Sequence, residues 1–403
     1  MKTIKTTGAA AVLALALAAD AAAKPAFMLP REIAAAPGVP CRVYFACAFD
    51  SVKPSAYAFE ALSQAGTFLE DGWSWTPTEK DAGRRVDLVF NAWTDDGLVD
   101  STTTTVVVAS VPSAELKARR ITLAYLTASG ANCLFTDRLR ERMREGGFVN
   151  YVAVGSHTGA SSSTTCDPEK GAPHDGYGGF AWGDFLSRYA LTVEEIDNFQ
   201  AESEREQLKS FGIKLAPGNA WRKGLLKSPL VRIRNGKKVV DVQAWFDKVN
   251  GGQAPDYVFI TLGGNGVATV RPELVGDAIA RQMVSARTLL GHLRAAAPQM
   301  RIVVTTTFGG SVEQTGWGRN YGALTSAFVG KQNAFRYNRA VERLVAEQND
   351  PNIVFANISL GLDPVGGYPR GGNANALHAT KQGGQMIADS LYAWLLNDLE
   401  RTE

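Results

Sequence analysis

The feature that most constrains this chain is an alternation of apolar runs and amphipathic segments that begins at Arg120. The runs RITLAYL, VNYVAVG, DYVFITLGG, MRIVVTTTF and NIVFANISL have the length and apolar character of buried strands. Several intervening segments repeat apolar residues with the period of a helix: TDRLRERMREGG, RPELVGDAIARQMVSARTLLGHLRAAAP, QNAFRYNRAVERLVAEQ and GQMIADSLYAWLLNDLE. This alternation predicts an α/β fold in which helices cover both faces of a parallel sheet.

The residues before this segment have a different pattern. A chain of 403 residues exceeds what one hydrophobic core usually holds, so a second unit is expected. In RRVDLVFNAWTDDGLVDSTTTTVVVAS, alternate residues are apolar and Asp96-Gly97 supplies a turn. Because a second sheet must cover the apolar face, residues 24–112 are predicted to form a small all-β sandwich. Residues 113–119 then form a linker, and residues 120–403 form the α/β domain.

The first residues have the pattern of an export signal. Lys2 and Lys5 precede the apolar run AAVLALALAA, and small residues suit cleavage after Ala23. Residues 1–23 are therefore predicted to be a signal peptide, and the protein to be periplasmic or extracellular. The run is too short for a permanent membrane span, and no cysteine follows the cleavage site to carry a lipid anchor. A formal net charge of +2 gives no indication of nucleic-acid binding.

Export permits disulfides among the four cysteines. Cys41 and Cys47 lie on one strand-like run, where an extended chain separates them by about 20 Å. A bridge needs Cα atoms within about 7 Å, so these two pair only if the chain bends. Cys133 and Cys166 are the better candidates, with two buried thiols as the open alternative.

Polar residues follow the predicted strands, at the edge where parallel sheets place their ligand sites. LTASGANC carries Ser129, GGNG spans Gly263 to Gly266, and NALHATKQGG carries His378. A serine, a histidine base, and glycine and asparagine N–H donors are the parts of an acyl-transfer site. The histidines are scattered and no Cys, His or carboxylate cluster has metal-ligand spacing, so neither a metal nor a cofactor is predicted.

In the order and spacing of these motifs, the segment from about Arg120 resembles the SGNH (GDSL-like) hydrolase family. HDGYGGFAW, VFITLGGNG and NALHATKQGGQMIADSLYAWL look like its second, third and last blocks. The resemblance implies an SGNH-type, flavodoxin-like three-layer α/β/α fold. It also implies Ser129 as nucleophile, Gly179 and Asn265 as oxyanion donors together with the Ser129 N–H, and His378 as general base. The N-terminal region looks like the immunoglobulin-like module of some exported members.

The first block departs from the family pattern. LTASG has neither the glycine nor the aspartate that the family places before its serine. Without a gap, Ala128 falls on the nucleophile position, whereas a one-residue deletion restores Ser129. Asn375 stands where the last block usually has an aspartate, and Asp363 is a further candidate to orient His378, with turn capping as its alternative role.

These expectations combine into a hypothesis of function. The protein is expected to be an exported serine esterase acting on carboxylic esters, with O-acetyl groups of a polysaccharide or oligosaccharide as substrate. His174, Asp175 and Trp182 are candidates to line the cleft, with loop hydrogen bonding and core packing as their structural alternatives. The alternative function is a catalytically inactive SGNH-fold protein that binds a glycan or a protein partner.

Overall fold

The computed structural model describes residues 25–51, 53–129, 133–158, 171–188, 228–321, 325–371 and 375–402. The predicted signal peptide, Cys166 and the side chain of Cys133 lie outside the described residues, so the predicted bridge does too. Cys41 and Cys47 are free thiols. Although the chain bends between them into a short helix, Cys41 faces the β core and Cys47 donates a hydrogen bond to the Leu362 carbonyl at 3.2 Å.

The N-terminal region consists of strands with one short α-helix and two 3₁₀ helices, Pro54–Ala56 and Glu79–Asp81. Its elements are β1 (Glu32–Ala35), β2 (Cys41–Tyr44), α1 (Phe45–Ala48), β3 (Ala58–Ser63), β4 (Thr67–Leu69), β5 (Gly72–Trp75), β6 (Arg85–Thr94) and β7 (Gly97–Val108). One sheet has the order β1-β7-β6-β3 and the other has the order β2-β5-β4. All of these pairs are antiparallel except β1 with β7, which is parallel.

These two sheets bury their apolar faces in one core. Leu88 and Phe90 of β6 alternate with more exposed residues, as the period-two pattern predicts. They share a cluster with Val43 of β2 and Trp73 of β5 in the other sheet. Leu360 of the α/β region joins the same cluster, so the two regions also pack on each other.

The α/β region follows, beginning with a short helix. Its elements are α2 (Ala114–Ala118), β8 (Ile121–Ala128), α3 (Cys133–Glu145), β9 (Tyr151–Val154), β10 (Asp175–Tyr177), α4 (Trp182–Ser187), β11 (Val231–Arg234), β12 (Lys237–Val240), α5 (Val242–Asn250), β13 (Tyr257–Thr261), α6 (Gly264–Val267), α7 (Val275–Ala296), β14 (Arg301–Thr305), α8 (Gln314–Tyr321), α9 (Ala327–Gln348), β15 (Ile353–Ala356) and α10 (Lys381–Arg401).

The five predicted strands form one parallel sheet in the order β9-β8-β13-β14-β15. β10 continues along the same edge of β8 beyond β9, pairing with Leu126 to Ala128. This is the doubly wound flavodoxin-like order. The second strand lies on one side of the first strand, and the third and later strands lie on its other side. The predicted mixed α/β fold with a parallel sheet is therefore confirmed. The rule for such sheets puts the crevice at the carboxyl ends of β8 and β13.

Helices cover both faces of this sheet. Val258 and Ile260 of β13 belong to one core with residues of α7 and α9, whereas Tyr257 and Phe259 belong to the other with residues of α3 and α10. Because successive strand residues point to opposite faces, this division gives three layers. Among the described residues, no helix combines the length and the apolar character that crossing a membrane requires.

A two-stranded hairpin stands outside the main sheet. β11 and β12 pair in an antiparallel ladder around Asn235 and Gly236, which have φ values of 51° and 72°. Positive φ at both central positions is the type I′ geometry that an Asn-Gly pair favours. The basic run RIRNGKK is thus a surface hairpin.

The N-terminal region is tied to the α/β region at several points. Asn397 of α10 donates its Nδ2 to the Ala35 carbonyl at 3.1 Å, and Tyr44 N donates to the Leu360 carbonyl at 3.0 Å. Arg339 of α9 forms an ion pair of 3.1 Å with Asp50. These contacts join the two regions.

Candidate active site

Ser129 lies where the first strand of the parallel sheet ends. β8 ends at Ala128, which pairs with Tyr177 of β10, and the chain turns at the next residue. The Ser129 Oγ lies 3.1 Å from the Nε2 of His378. Because successive side chains point in different directions, a shift of one residue would exchange Ser129 for the methyl group of Ala128. Of the two possible registers, Ser129 is the residue whose side chain contacts His378.

His378 is held just before the last helix. Thr380 caps α10 by accepting a hydrogen bond from Gly383 N, and the His378 N–H points back to the Asn375 carbonyl at 3.4 Å. Burial lowers the pKa of His378 because removal from water penalises the imidazolium form. A neutral imidazole with an unprotonated Nε2 can accept the Ser129 proton.

The two residues predicted to orient His378 make other contacts. Asp363 Oδ1 accepts a hydrogen bond from Val365 N at 2.8 Å, so Asp363 caps its own turn, which is the alternative role that the sequence left open for it. Asn375 Oδ1 accepts from the Tyr321 hydroxyl at 2.7 Å and from Leu377 N at 2.9 Å. Among the described residues, no carboxylate forms an ion pair or a hydrogen bond with the His378 ring.

Asn265 is positioned by a tight turn after β13. Gly263 has a φ of 100°, and a Cβ there would lie 2.0 Å from the Tyr337 ring, so only glycine fits. Asn265 lies two residues later, in α6, and its side chain lines the space beside Ser129. Its Nδ2 donates one hydrogen bond to the Phe180 carbonyl at 3.0 Å, which leaves its second N–H for a ligand.

Gly179 precedes the Phe180 carbonyl that Asn265 holds. It has a φ of 76° and no atom within 4 Å of the position of a Cβ. It is therefore close in the chain to the Asn265 contact. However, it does not line the cavity beside Ser129.

A cavity of about 40 Å³ surrounds the Ser129 to His378 contact. Besides Ala128, Ser129, Asn265 and His378, its wall contains Thr261, Gly264, Thr307, Phe308, Tyr321 and Leu377. Sequence reasoning did not select these six residues. Thr307 and Phe308 follow β14, so the strand-end rule alone indicates their position. Tyr321 ends α8, and its sequence position carries no comparable signal.

The three candidates for lining the cleft are completely buried, which agrees with their structural alternatives, loop hydrogen bonding and core packing. Asp175 accepts hydrogen bonds from the Tyr177 hydroxyl at 2.8 Å and from Trp245 Nε1 at 3.0 Å. His174 Nδ1 accepts from Gly176 N at 3.0 Å. Trp182 Nε1 donates to the Tyr337 hydroxyl at 2.6 Å. These side chains bind structural partners inside the protein and offer no face to a sugar.

The described residues include no group of three or more His, Cys, Asp and Glu side chains that is arranged to hold a metal ion. The residues that line the cavity beside Ser129 offer a hydroxyl, an imidazole and an amide N–H donor.

No protein-family model matches the chain, and no curated protein sequence matches it. Similar solved structures include an acetyl esterase mutant with an acetate ion and a family 3 carbohydrate esterase from Talaromyces cellulolyticus. Each is 15% identical, covers 70% of this chain and 100% of its own, and has a TM-score of 0.41. A family two carbohydrate esterase from Clostridium thermocellum in complex with cellohexaose is 12% identical, covers 85% of this chain and 86% of its own, and has a TM-score of 0.35. Similarity this remote carries no argument about activity, which depends on the residues around Ser129.

Proposed function

We propose that this protein is an exported serine esterase that hydrolyses carboxylic esters, with O-acetyl groups on carbohydrate as its substrate class. The observation that carries this proposal is the 3.1 Å contact between Ser129 Oγ and His378 Nε2 at the carboxyl edge of the parallel sheet. The lowered pKa of His378 supports it, because a general base must be unprotonated. Export is inferred from the signal-like pattern of residues 1–23.

The proposed reaction begins when Ser129 Oγ attacks the ester carbonyl and His378 Nε2 takes the hydroxyl proton. The Ser129 N–H and the second Nδ2 proton of Asn265 stabilise the oxyanion, because both residues line the cavity. The intermediate then collapses, and the alcohol leaves with the proton from His378. Water, deprotonated by His378, attacks the acyl-serine and releases the carboxylic acid, which restores the Ser129 hydroxyl.

The size of the cavity favours a small acyl group. One water molecule occupies about 10 to 15 Å³ of such a cavity, so about 40 Å³ holds a group of roughly three heavy atoms. An acetyl group has three heavy atoms. The rest of an acetylated sugar would lie outside this cavity.

The surroundings of His378 favour a second candidate function, a binding protein without catalysis. In serine proteases, replacing the aspartate that orients the histidine by asparagine lowers turnover by about 10⁴. Asn375 Oδ1 already accepts hydrogen bonds from the Tyr321 hydroxyl and from Leu377 N. Among the described residues, no carboxylate contacts the His378 ring in its place. The same binding site without efficient base catalysis would hold an acetylated glycan and release it unchanged.

Hydrolysis assays with three variants distinguish these functions. The substrates are p-nitrophenyl acetate and acetylated xylo-oligosaccharides. We expect Ser129→Ala and His378→Gln each to lower kcat/KM by at least about 10³, because nucleophile and base act as a unit. Ser311→Ala is the matched control, because Ser311 caps a neighbouring loop by accepting from Glu313 N, and it should stay within about twofold of wild type.

Two outcomes would contradict the proposal. If Ser129→Ala hydrolyses both substrates as fast as wild type, Ser129 is not the nucleophile. If wild type hydrolyses neither substrate but binds the acetylated oligosaccharide, the protein is the binding protein of the second candidate function.

A further inference from the structure

A second, larger cavity of about 290 Å³ lies between the N-terminal region and the α/β region. Met28, Ala46 and Cys47 line it from the N-terminal side, and residues of α9 and of the loops after β14 and β15 line it from the other. Thr307 and Phe308 belong to the walls of both cavities. Ser129, Asn265 and His378 do not line the larger one, so its ligand need not be the ester substrate.

The wall of this cavity is mainly apolar. Its exposed edge contains Phe328 and Val312, which are 57% and 45% exposed, together with the exposed Lys53. Small-molecule sites typically combine such walls with a few polar groups that fix the ligand.

Several polar side chains on the wall already have partners. Asn338 accepts from Thr307 N at 2.8 Å and donates to the Thr307 carbonyl at 3.0 Å. Ser359 Oγ donates to Asn357 Oδ1 at 3.0 Å, and Cys47 donates to the Leu362 carbonyl. These groups have hydrogen-bond partners within the protein, so they do not require hydrogen bonds from a ligand.

Lys331 differs from these groups. Its Nζ is buried and has no hydrogen-bond acceptor among the described residues. The ammonium lies 5.5 Å from the centroid of the Phe335 ring, a contact that compensates only a part of its lost hydration. Burial lowers the pKa of Lys331 to about 8, although Cys47 and Asp50 oppose this shift. About nine in ten of these amines therefore still carry a proton at pH 7.

Lys331 lies in the second turn of α9, which begins at Ala327 and is 22 residues long. The partial positive charge of a helix terminus acts within its first turn, so the demand for an anion comes from the Lys331 ammonium itself. A buried ammonium with no hydrogen-bond acceptor among the described residues is a group whose hydrogen bonds an anion can complete.

We propose that this cavity binds a small amphipathic carboxylate, whose apolar body contacts the cavity wall and whose carboxylate accepts a hydrogen bond from Lys331 Nζ. A volume of about 290 Å³ is near the lower end for ligand pockets, so the carboxylate is a small one. The apolar wall selects an alkyl or aryl acid over a sugar acid or an inorganic anion. A charge-assisted hydrogen bond to a buried ammonium supplies the selectivity over neutral analogues.

Calorimetric titration of the full chain with octanoate tests this proposal. We expect one octanoate per chain in wild type and in Ser129→Ala, with equal Kd. Lys331→Met keeps the length of the side chain and removes its charge, so its Kd should be at least about tenfold higher. 1-Octanol, which has the same chain and no charge, should bind wild type no more tightly than octanoate binds Lys331→Met. Lys53→Met removes an exposed lysine of the same wall and should change Kd by less than about twofold.

A second variant, which fills part of the cavity, allows the proposal to be tested even if Lys331→Met does not fold. Ala46→Leu extends a side chain into the cavity from the N-terminal side, retains Lys331, and should also weaken octanoate binding at least about tenfold. The proposal is overturned if wild type does not bind octanoate, if Lys331→Met binds it as tightly as wild type, or if Ser129→Ala loses binding. The last result would assign the carboxylate to the cavity beside Ser129. None of these outcomes depends on esterase activity.

Discussion

Two cavities share the wall formed by Thr307 and Phe308, and they differ in how their polar groups are partnered. In the smaller one, Ser129 and His378 contact each other, and Asn265 is held by the Phe180 carbonyl. In the larger one, the Lys331 ammonium has no described hydrogen-bond partner. The polar groups of the smaller cavity thus contact one another, as the proposed esterase requires, whereas the charge in the larger cavity has no hydrogen-bond acceptor among the described residues.

After replacement of Ser129 or His378, the largest expected effect concerns Asn265, the proposed oxyanion donor of the smaller cavity. Asn265→Ala should lower kcat on p-nitrophenyl acetate by about 10² to 10³ with little change in KM, as removal of one side-chain donor does in other acyl-transfer enzymes. The physical reason is that the second Nδ2 proton acts on charge that develops only in the transition state. Steady-state kinetics separate the two parameters.

A matched asparagine from the larger cavity controls this result. Asn357 also donates its Nδ2 to a backbone carbonyl, that of Met28 at 3.4 Å. Asn357→Ala should lower the free energy of unfolding by about 1 kcal/mol and leave kcat within about twofold. Equal losses of kcat in the two variants would remove the functional distinction between the cavities.

The layout of the smaller cavity follows from rules that apply to sequence. The period of the apolar residues predicts the parallel sheet, and the strand ends then place Ser129, Asn265 and His378 on one edge. The choice between Ala128 and Ser129 needed the structure, because one residue of register decides which side chain points at His378. The sequence left open whether Trp182 and Asp175 line the cleft or pack inside the protein, because their partners, Tyr337 and Trp245, are 155 and 70 residues away in the chain.

The larger cavity has no comparable signal in the sequence. Lys331 occurs in an amphipathic helix, where a lysine is ordinarily a solvated surface residue. Its Nζ is buried here, where residues of the N-terminal region line the same cavity and Asp50 forms an ion pair with Arg339 of α9. Packing between two regions that are far apart in the chain leaves no periodic pattern.

The next largest expected effect is a change in the free energy of unfolding, and it comes from the Lys331 ammonium. Lys331→Met should raise the free energy of unfolding by about 1 to 3 kcal/mol at pH 7, because a shift of the lysine pKa from 10.5 to about 8 corresponds at most to about 3 kcal/mol. Since the folded pKa is the lower one, wild type gains stability as the pH rises from about 8 to 10.5, and the variant does not. The advantage of the variant should therefore shrink across this window.

Urea unfolding at pH 7 and pH 10 measures that difference, and p-nitrophenyl acetate hydrolysis at pH 7 should stay within about twofold of wild type. A loss of stability in Lys331→Met at pH 7 would show that the ammonium already has a favourable partner. A gain of the same size at both pH values would assign the effect to packing of the methionine and not to charge.

The smallest expected effect is a change in kcat, and it concerns the loop that holds His378. The Tyr321 hydroxyl donates a hydrogen bond to Asn375 Oδ1, which also accepts one from Leu377 N, so two hydrogen bonds hold the Asn375 side chain in place. Tyr321→Phe removes one of them and should lower kcat by about fivefold, the effect of one hydrogen bond of about 1 kcal/mol. KM should change little, because the ester cavity keeps its wall.

The pH profile separates positioning of His378 from a merely structural contribution of Tyr321. Burial lowers the pKa of His378, so the acid limb of kcat/KM in wild type should lie below pH 6.5, with activity lost as the imidazole protonates. A looser loop admits water to the ring, which should move that limb in Tyr321→Phe upward toward pH 6.5. If Tyr321 only stabilises the fold, its replacement lowers Tm and leaves the limb in place. A limb that moves while Tm stays constant would instead identify Tyr321 as a positioning residue, acting on the base through Asn375.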